Sequence, residues 1–394
     1  MQQEIVDMRI FVLLTGVLIS GIFSRSYAQS DLVSFLLRRI ASRQMMYDSF
    51  YHTGMFPSYR FYAPFPGKPK HDNNIFFTAL TCYTIRQLKP WLPDSLHPVA
   101  DSILQRAASA YPFYQKPQHP LTYNFWPVNP PEVFPNSILL KPFRYINALP
   151  DDADDASMIW LALHPPDSII LAYHAYMAQY ANTIHQPIRN TYRTYKHLPF
   201  YSTWFGKKMP VDVDFCVLCN VLTLFYSYRI PLNKYDSASI RWLNEMIGSR
   251  RYLSDAAYIS PHYARPPVLI YHAARLWQTA HPEWMQPYIK QLQTDAIRCF
   301  QHTNCTMDSI ILYTSLMRLG AKPEVMMQID PDRIEAIEQQ PCAIFFEAGF
   351  YAMLRNPFKR WFTPLGFIKY YFSSPAYVDA LLLEYILTDK FNDN

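Results

Sequence analysis

A chain of 394 residues that is half hydrophobic and 16% aromatic buries a large core without help from a partner. Charged residues make up only 17%, and the net charge of +5 sits in isolated pairs such as Arg38-Arg39, Lys207-Lys208 and Arg250-Arg251. Without a concentrated basic stripe, nucleic acid is excluded as a partner. Six cysteines scattered over this length exclude a disulfide-framework fold.

The N-terminus reads as an export signal. Arg9 precedes the apolar run Ile10–Phe23, and Ser26-Tyr27-Ala28 puts small residues where a signal peptidase inspects them. That run falls short of the roughly 20 residues needed to span a bilayer. The expectation is cleavage after Ala28, with 1–28 as signal peptide, Met8 as an alternative start, and 29–394 as one exported domain, periplasmic or extracellular, without stable membrane insertion.

Apolar-periodic segments then predict helices near 31–47, 73–89, 96–110, 154–164, 168–184, 213–228, 236–247, 266–280, 283–301, 306–319, 331–338 and 376–389. A short hairpin around 192–204 is the one strand candidate, so the class is all-α. Proline supplies the punctuation, 33 residues against 9 glycines. Pro150, Pro210, Pro261, Pro266 and Pro375 fall at segment edges, where proline costs no helical hydrogen bond. His164-Pro165-Pro166-Asp167 ends one helix and opens the next, the tight link of an αα-hairpin.

Cys216 and Cys219 form a CxxC spacing inside an apolar run without a turn or a second pair, which reads as buried thiols; Cys299 and Cys305 flank a polar turn and could pair.

Three helices open alike: Pro150-Asp151-Asp152-Ala153-Asp154-Asp155, Pro210-Val211-Asp212-Val213-Asp214, and Ser260-Pro261-His262-Tyr263-Ala264-Arg265-Pro266. Ser374-Pro375-Ala376-Tyr377 is a late member. This is a helix-pair repeat, and a closed ring would bring all the polar openings to one end.

These residues resemble the (α/α) toroid, the ring of about six helical hairpins shared by terpenoid cyclases, protein prenyltransferase β-subunits and several glycan-active enzymes. Asp152-Ala153-Asp154-Asp155-Ala156-Ser157-Met158 looks like the DxDD-T-A-M segment of class II terpene cyclases, and Asp151–Asp155 also fits the DDxxD pattern of class I synthases. The chain departs from class II cyclases in lacking repeated Gln…Gly-x-Trp motifs and a second helical domain, and from class I synthases in lacking a companion metal motif. The resemblance therefore implies a terpenoid cyclase-like fold with an acidic ligand pocket and leaves the activity open.

Three uses of the acids follow. In a cyclase, Asp154 is the general acid, kept protonated by Asp152 and Asp155, with aromatic faces holding the carbocation. In a glycan hydrolase or lyase, Asp154 or Asp155 pairs with Asp212 or Asp214, while Tyr123-Asn124-Phe125-Trp126 supplies flat faces and an amide for a sugar. In a binding module, the same ring holds a glycan, lipid or protein without turnover. Asp154, Asp155 and Asp214 are thus the candidate catalytic residues. Asp151, Asp152, Asp212, Tyr123, Trp126 and His262 are candidates for binding a small-molecule or glycan ligand. No cofactor motif is present, and the acids lack the spacing of a calcium loop. One or two of these acids serve as helix caps; four in five positions exceed what a cap uses.

Overall fold

Helices in the computed structural model begin and end where Pro, Asp and Asn interrupt the apolar pattern. It describes residues 29–62, 68–136, 138–206, 209–323, 326–366 and 369–392; the expected signal peptide, its cleavage site and the alternative start lie outside them. The longer helices are α1 (29–43), α2 (Phe76–Leu88), α3 (His97–Ala108), α4 (Ala153–Leu163), α5 (Asp167–Ala178), α6 (Phe215–Ser227), α7 (Lys234–Gly248), α8 (Pro266–Ala280), α9 (Ile289–His302), α10 (Thr306–Arg318) and α11 (Pro375–Leu387).

Six of these close a ring: α2 packs on α4, α4 on α6, α6 on α8, α8 on α10, α10 on α11, and α11 returns to α2. The inner helices are apolar on nearly every face. Every residue from Ala376 to Leu387 of α11 is buried, as is every residue from Ala153 to Ala162 of α4. A helix hydrophobic all round must be enclosed by others, and here outer helices enclose it. In α9, by contrast, only Ile289, Leu292, Asp295 and Ala296 are buried, the single stripe of an outer helix. α3, α5, α7 and α9 each lie between inner helices in the chain, α1 ties to α11 through Arg39 and Asp379, and the turn Ile334–Glu338 packs outside α11. The class is all-α: the described residues form six inner helices and six outer segments, an (α/α) toroid.

The strand expectation is corrected. Residues 192–204 carry a 3-10 turn, Arg193–Tyr195, and the sheet lies elsewhere. β1 (Ser58–Tyr62), β2 (Lys70–Asp72), β3 (Phe346–Ala348) and β4 (Tyr370–Ser373) form an antiparallel sheet in the order β2-β1-β4-β3. Its register sets Arg60 and Phe346 against Phe372. Such short strands, drawn from opposite ends of the chain, leave too little local alternation to be read.

The cysteine expectation is also corrected: Cys305 bonds to Cys342, and Cys299 is free. Cys299 lies within α9, which continues to His302, whereas Cys305 sits at the N-cap of α10, its Cα 6.3 Å from that of Cys342 within the 3-10 turn Pro341–Ala343. Cys82, Cys216 and Cys219 are buried thiols, and burial pushes Cys82 up to about 12.

Candidate functional site

Two of the repeated openings, at Asp152 and Asp214, become side-chain helix caps, whereas α8 and α11 open without one. Asp152 adopts the extended conformation of an N-cap, and its Oδ1 accepts from the backbone N–H groups of Asp154 (2.9 Å) and Asp155 (2.8 Å). Asp214 caps α6 in the same way, accepting from Cys216 N–H at 2.8 Å and Val217 N–H at 3.3 Å. It also accepts from the Ser260 hydroxyl (2.5 Å) and from the His262 backbone N–H (3.2 Å). Asp214 thereby ties the opening of α6 to the segment leading into α8. On its other side, the His262 carbonyl accepts from Glu347 N–H at 2.8 Å, which docks β3 onto that segment.

A cavity of about 520 Å³ occupies this end of the toroid. Phe76 from α2, Phe346 and Phe372 from the sheet, and Phe125, Trp126, Phe134 and Trp204 from connecting loops give its apolar wall aromatic faces, among aliphatic side chains such as Val217 from α6. Against them stand Asp152, Asp154, Asp155 and His262. Phe125 and Phe346 stack with centroids 5.5 Å apart, and the His262 ring lies parallel to Phe346 at 5.7 Å. Both ring nitrogens of His262 are buried in the cavity wall and find no hydrogen-bond partner among the described residues.

Asp154 is held from both sides. Its Oδ1 accepts from Asn220 Nδ2 at 2.6 Å and its Oδ2 from the Tyr263 hydroxyl at 2.5 Å. Burial, and then the charge of Asp152, push its carboxyl up to about 8, although the two hydrogen bonds pull the other way. Asp154 therefore keeps its proton at neutral pH. Burial and the neighbouring acids also hold Asp155 well above the carboxylate range, and burial raises Asp152, its side-chain hydrogen-bond partner. Carboxyls this close inside an apolar wall retain protons rather than ionise together. Among the described residues, no three His, Cys, Asp or Glu side chains converge as metal ligands.

Behind Asp154 a polar chain runs into the ring. The Arg275 guanidinium donates to Asn220 Oδ1 and lies over the rings of Tyr83 and Tyr271, at 5.4 and 5.6 Å. Deeper still, Arg318 pairs with Glu384, which also accepts from the Tyr271 hydroxyl at 2.7 Å.

Of the residues singled out in the sequence, Asp152, Asp154, Asp155, Trp126 and His262 line the cavity, and Asp214 fastens the His262 segment from behind. The other three stand outside the wall. Asp151 accepts from Lys116 (2.5 Å), Thr122 (2.7 Å) and Asn124 (3.2 Å), and so anchors the preceding loop. Asp212 forms a buried ion pair with Lys359 at 3.1 Å and accepts from Asn190 at 2.9 Å. Tyr123 packs edge-on against Trp160 at 5.0 Å. Sequence reading missed Asn220, Tyr263 and Arg275. A polar residue inside an otherwise apolar inner helix was the available signal for Asn220 and Arg275, and adjacency to His262 was the signal for Tyr263. The aromatic lining from Phe346 and Phe372 comes from strands that carried no readable pattern.

No family model matches the sequence, and no curated protein matches it. Among solved structures, the chain is similar to two variants of the type II terpene cyclase MstE from Scytonema, each in complex with geranylgeranyl dihydroxybenzoate. Both alignments cover 93% of this chain and 99% of the other at 12% identity, with TM-scores of 0.47 and 0.46.

Proposed function

We propose that this toroid takes a water-insoluble polyene, or its terminal epoxide, into the aromatic cavity and starts its cyclisation by protonation from Asp154. One observation carries the reading: the buried Asp154 carboxyl, held by Asn220 and Tyr263 and pushed up to about 8 by burial, lines an apolar cavity with aromatic faces. An acid kept neutral by burial is poised to give its proton away. The proton adds to an alkene carbon or an epoxide oxygen, and the next double bond closes the ring on the carbocation so formed. Aromatic faces stabilise that cation through their quadrupoles without attacking it. The last cation loses a proton to a base, so an alkene substrate leaves as an isomer of equal mass. His262, with both nitrogens buried in the wall and unpartnered among the described residues, is the base the geometry offers. Export to the periplasm or outside, expected from residues 1–28, remains part of the proposal.

The glycan-active alternative has less support. Asp214 gives both oxygens to other donors and is not part of the lining, so the carboxyls facing the cavity all come from the opening of one helix, α4. Hydrolysis needs acids on two sides of a glycosidic bond.

The test is to incubate purified protein with linear polyenes and terminal epoxides of graded length, and to analyse organic extracts by mass spectrometry for cyclised isomers. Wild type is expected to convert at least one, and Asp154→Asn to lose conversion by 10²-fold or more while remaining folded, in line with the usual effect of a general acid. Undiminished conversion by Asp154→Asn, or neither binding nor conversion of any polyene by wild type, would sink the reading.

A further inference from the structure

Eight of the seventeen large apolar side chains exposed among the described residues lie in two short stretches, 139–146 and 350–361. The first shows Leu139 (84% exposed), Phe143, Tyr145 (68%) and Ile146 (71%). The second shows Phe350, Leu354, Phe358 and Trp361 (63%). Phe143, Ile146 and Phe350 also line the cavity, and a side chain that is both lining and exposed marks its mouth. The helical turn Phe358–Phe362 packs on the turn Phe350–Met353, which carries Trp361 to the same rim.

The charge of this rim is one-sided. Stretches 139–147 and 350–362 contain Lys141, Arg144, Arg355, Lys359 and Arg360 and no acidic residue. Lys359 is buried against Asp212, which leaves Arg355 and Arg360 exposed and Lys141 and Arg144 half-buried at the surface. Two of the four have an acidic partner from outside the stretches: Glu132 is 3.9 Å from Lys141, and Asp255 is 3.7 Å from Arg360.

We infer that this rim is a membrane-docking surface which seats the cavity mouth on a bilayer carrying anionic headgroups. Contiguous exposed apolar surface rimmed by polar groups marks an interaction site. Tyr and Trp settle at the headgroup level, and Arg and Lys reach from an apolar base to anionic phosphates. A protein surface would ordinarily be met by charges of both signs; four cations and no acid in the two stretches match an anionic lipid face. No helix among the described residues is long and apolar enough to cross a membrane, so the chain lies on the surface by this rim. The inference rests on exposure and charge, independently of any chemistry at Asp154.

Flotation with vesicles tests it. The full chain is mixed with vesicles of phosphatidylcholine alone or with about a quarter phosphatidylglycerol, enough to set up a negative surface potential. Wild type is expected to float with the anionic vesicles and to be released by high salt. Combined Leu139→Ser, Tyr145→Ser and Trp361→Ser, none of which lines the cavity, should lower the partition coefficient at least ten-fold with the melting temperature unchanged. Arg144→Glu with Arg355→Glu should remove the preference for phosphatidylglycerol. The N-terminal apolar segment is common to all variants and cannot produce a difference among them. Asp154→Asn should float like wild type, which separates failure here from failure of the cyclisation proposal. Equal flotation of wild type and the triple variant overturns the inference. So does a wild-type dimer that the triple substitution makes monomeric without any lipid binding, since the rim would then face a second copy.

Discussion

Arg275 donates to Oδ1 of Asn220, and this contact decides what Asn220 presents to Asp154. A guanidinium has donors only, so the amide oxygen is claimed and the amide nitrogen is turned toward Asp154 Oδ1, 2.6 Å away. The hydrogen bond from Asn220 lowers the Asp154 pKa, opposing burial. Replacing Arg275 by Met frees the amide and removes a nearby positive charge, so the Asp154 pKa should rise above about 8. The carboxylic C=O stretch, followed by infrared difference spectroscopy against Asp154→Asn, should persist to higher pH in Arg275→Met. An unchanged titration in a folded Arg275→Met protein would show that Asn220 keeps its orientation without the guanidinium.

Asp154 also sets a pH dependence of stability. Unfolded, its carboxyl titrates near 3.8; folded, near 8. Between those values the folded chain holds a proton that the unfolded chain has released. The stabilising contribution is thus complete below about pH 4 and is lost as pH rises through about 8. Burial of the group makes this worth on the order of a few kcal/mol. Asp152 and Asp155, also raised, add to the same trend. Urea titrations from pH 5 to 9 should show wild type losing stability with rising pH and Asp154→Asn losing clearly less, because the amide cannot ionise. Parallel curves for the two proteins would mean that Asp154 is ionised in the fold at neutral pH.

The ring was legible because its helices announce their ends. Proline and Asp at segment edges place Pro266–Ala280 to the residue and most other helices within a few, and the repeated opening at Asp152, Asp214 and Ser260 singles out three successive inner helices. Asp154 was legible for a related reason, since it adds acid to a helix that Asp152 already caps. Which neighbours surround it was not. Asn220 and Tyr263 lie 66 and 109 residues away and meet Asp154 only after the ring is assembled. Two of the aromatic faces, Phe346 and Phe372, come from β3 and β4, strands of three and four residues with no periodicity of their own. Asp151 and Asp212 share the acidic pattern yet pair with Lys116 and Lys359, and composition cannot separate a carboxylate with a lysine partner from one without.

Asp214 should prove structural. It accepts from two backbone N–H groups of α6, the Ser260 hydroxyl and the His262 backbone N–H, and it is wholly buried. Asp214→Ala removes a cap and strands buried donors, which should cost about 2–4 kcal/mol from the sum of a lost cap and lost charged hydrogen bonds. The variant should melt earlier and should also loosen His262, whose backbone it anchors. Chemical denaturation gives the energy. A loss under about 0.5 kcal/mol, the scale of an ordinary surface substitution, would contradict the role.

The pair deepest in the ring offers a separate test of how the toroid closes. Glu384 on α11 accepts from Arg318 on α10 and from Tyr271 on α8, so one carboxylate joins three consecutive inner helices. Arg318 and Arg275 both lie over the Tyr271 ring, at 4.9 and 5.6 Å, and Glu384 is the carboxylate that pairs with Arg318 at this depth. Glu384→Gln leaves buried cations without that anion and should destabilise the chain by about 3–5 kcal/mol, the usual cost of breaking a buried pair from one side. Arg318→Met should cost a similar amount, because among the described residues Glu384 then keeps only the Tyr271 hydroxyl. The double variant Arg318→Met with Glu384→Gln should lose much less than the sum, since it buries neither charge alone. Strictly additive losses in a double-mutant cycle would show that the two side chains act independently, and closure of the ring would then rest on apolar packing of α10 and α11.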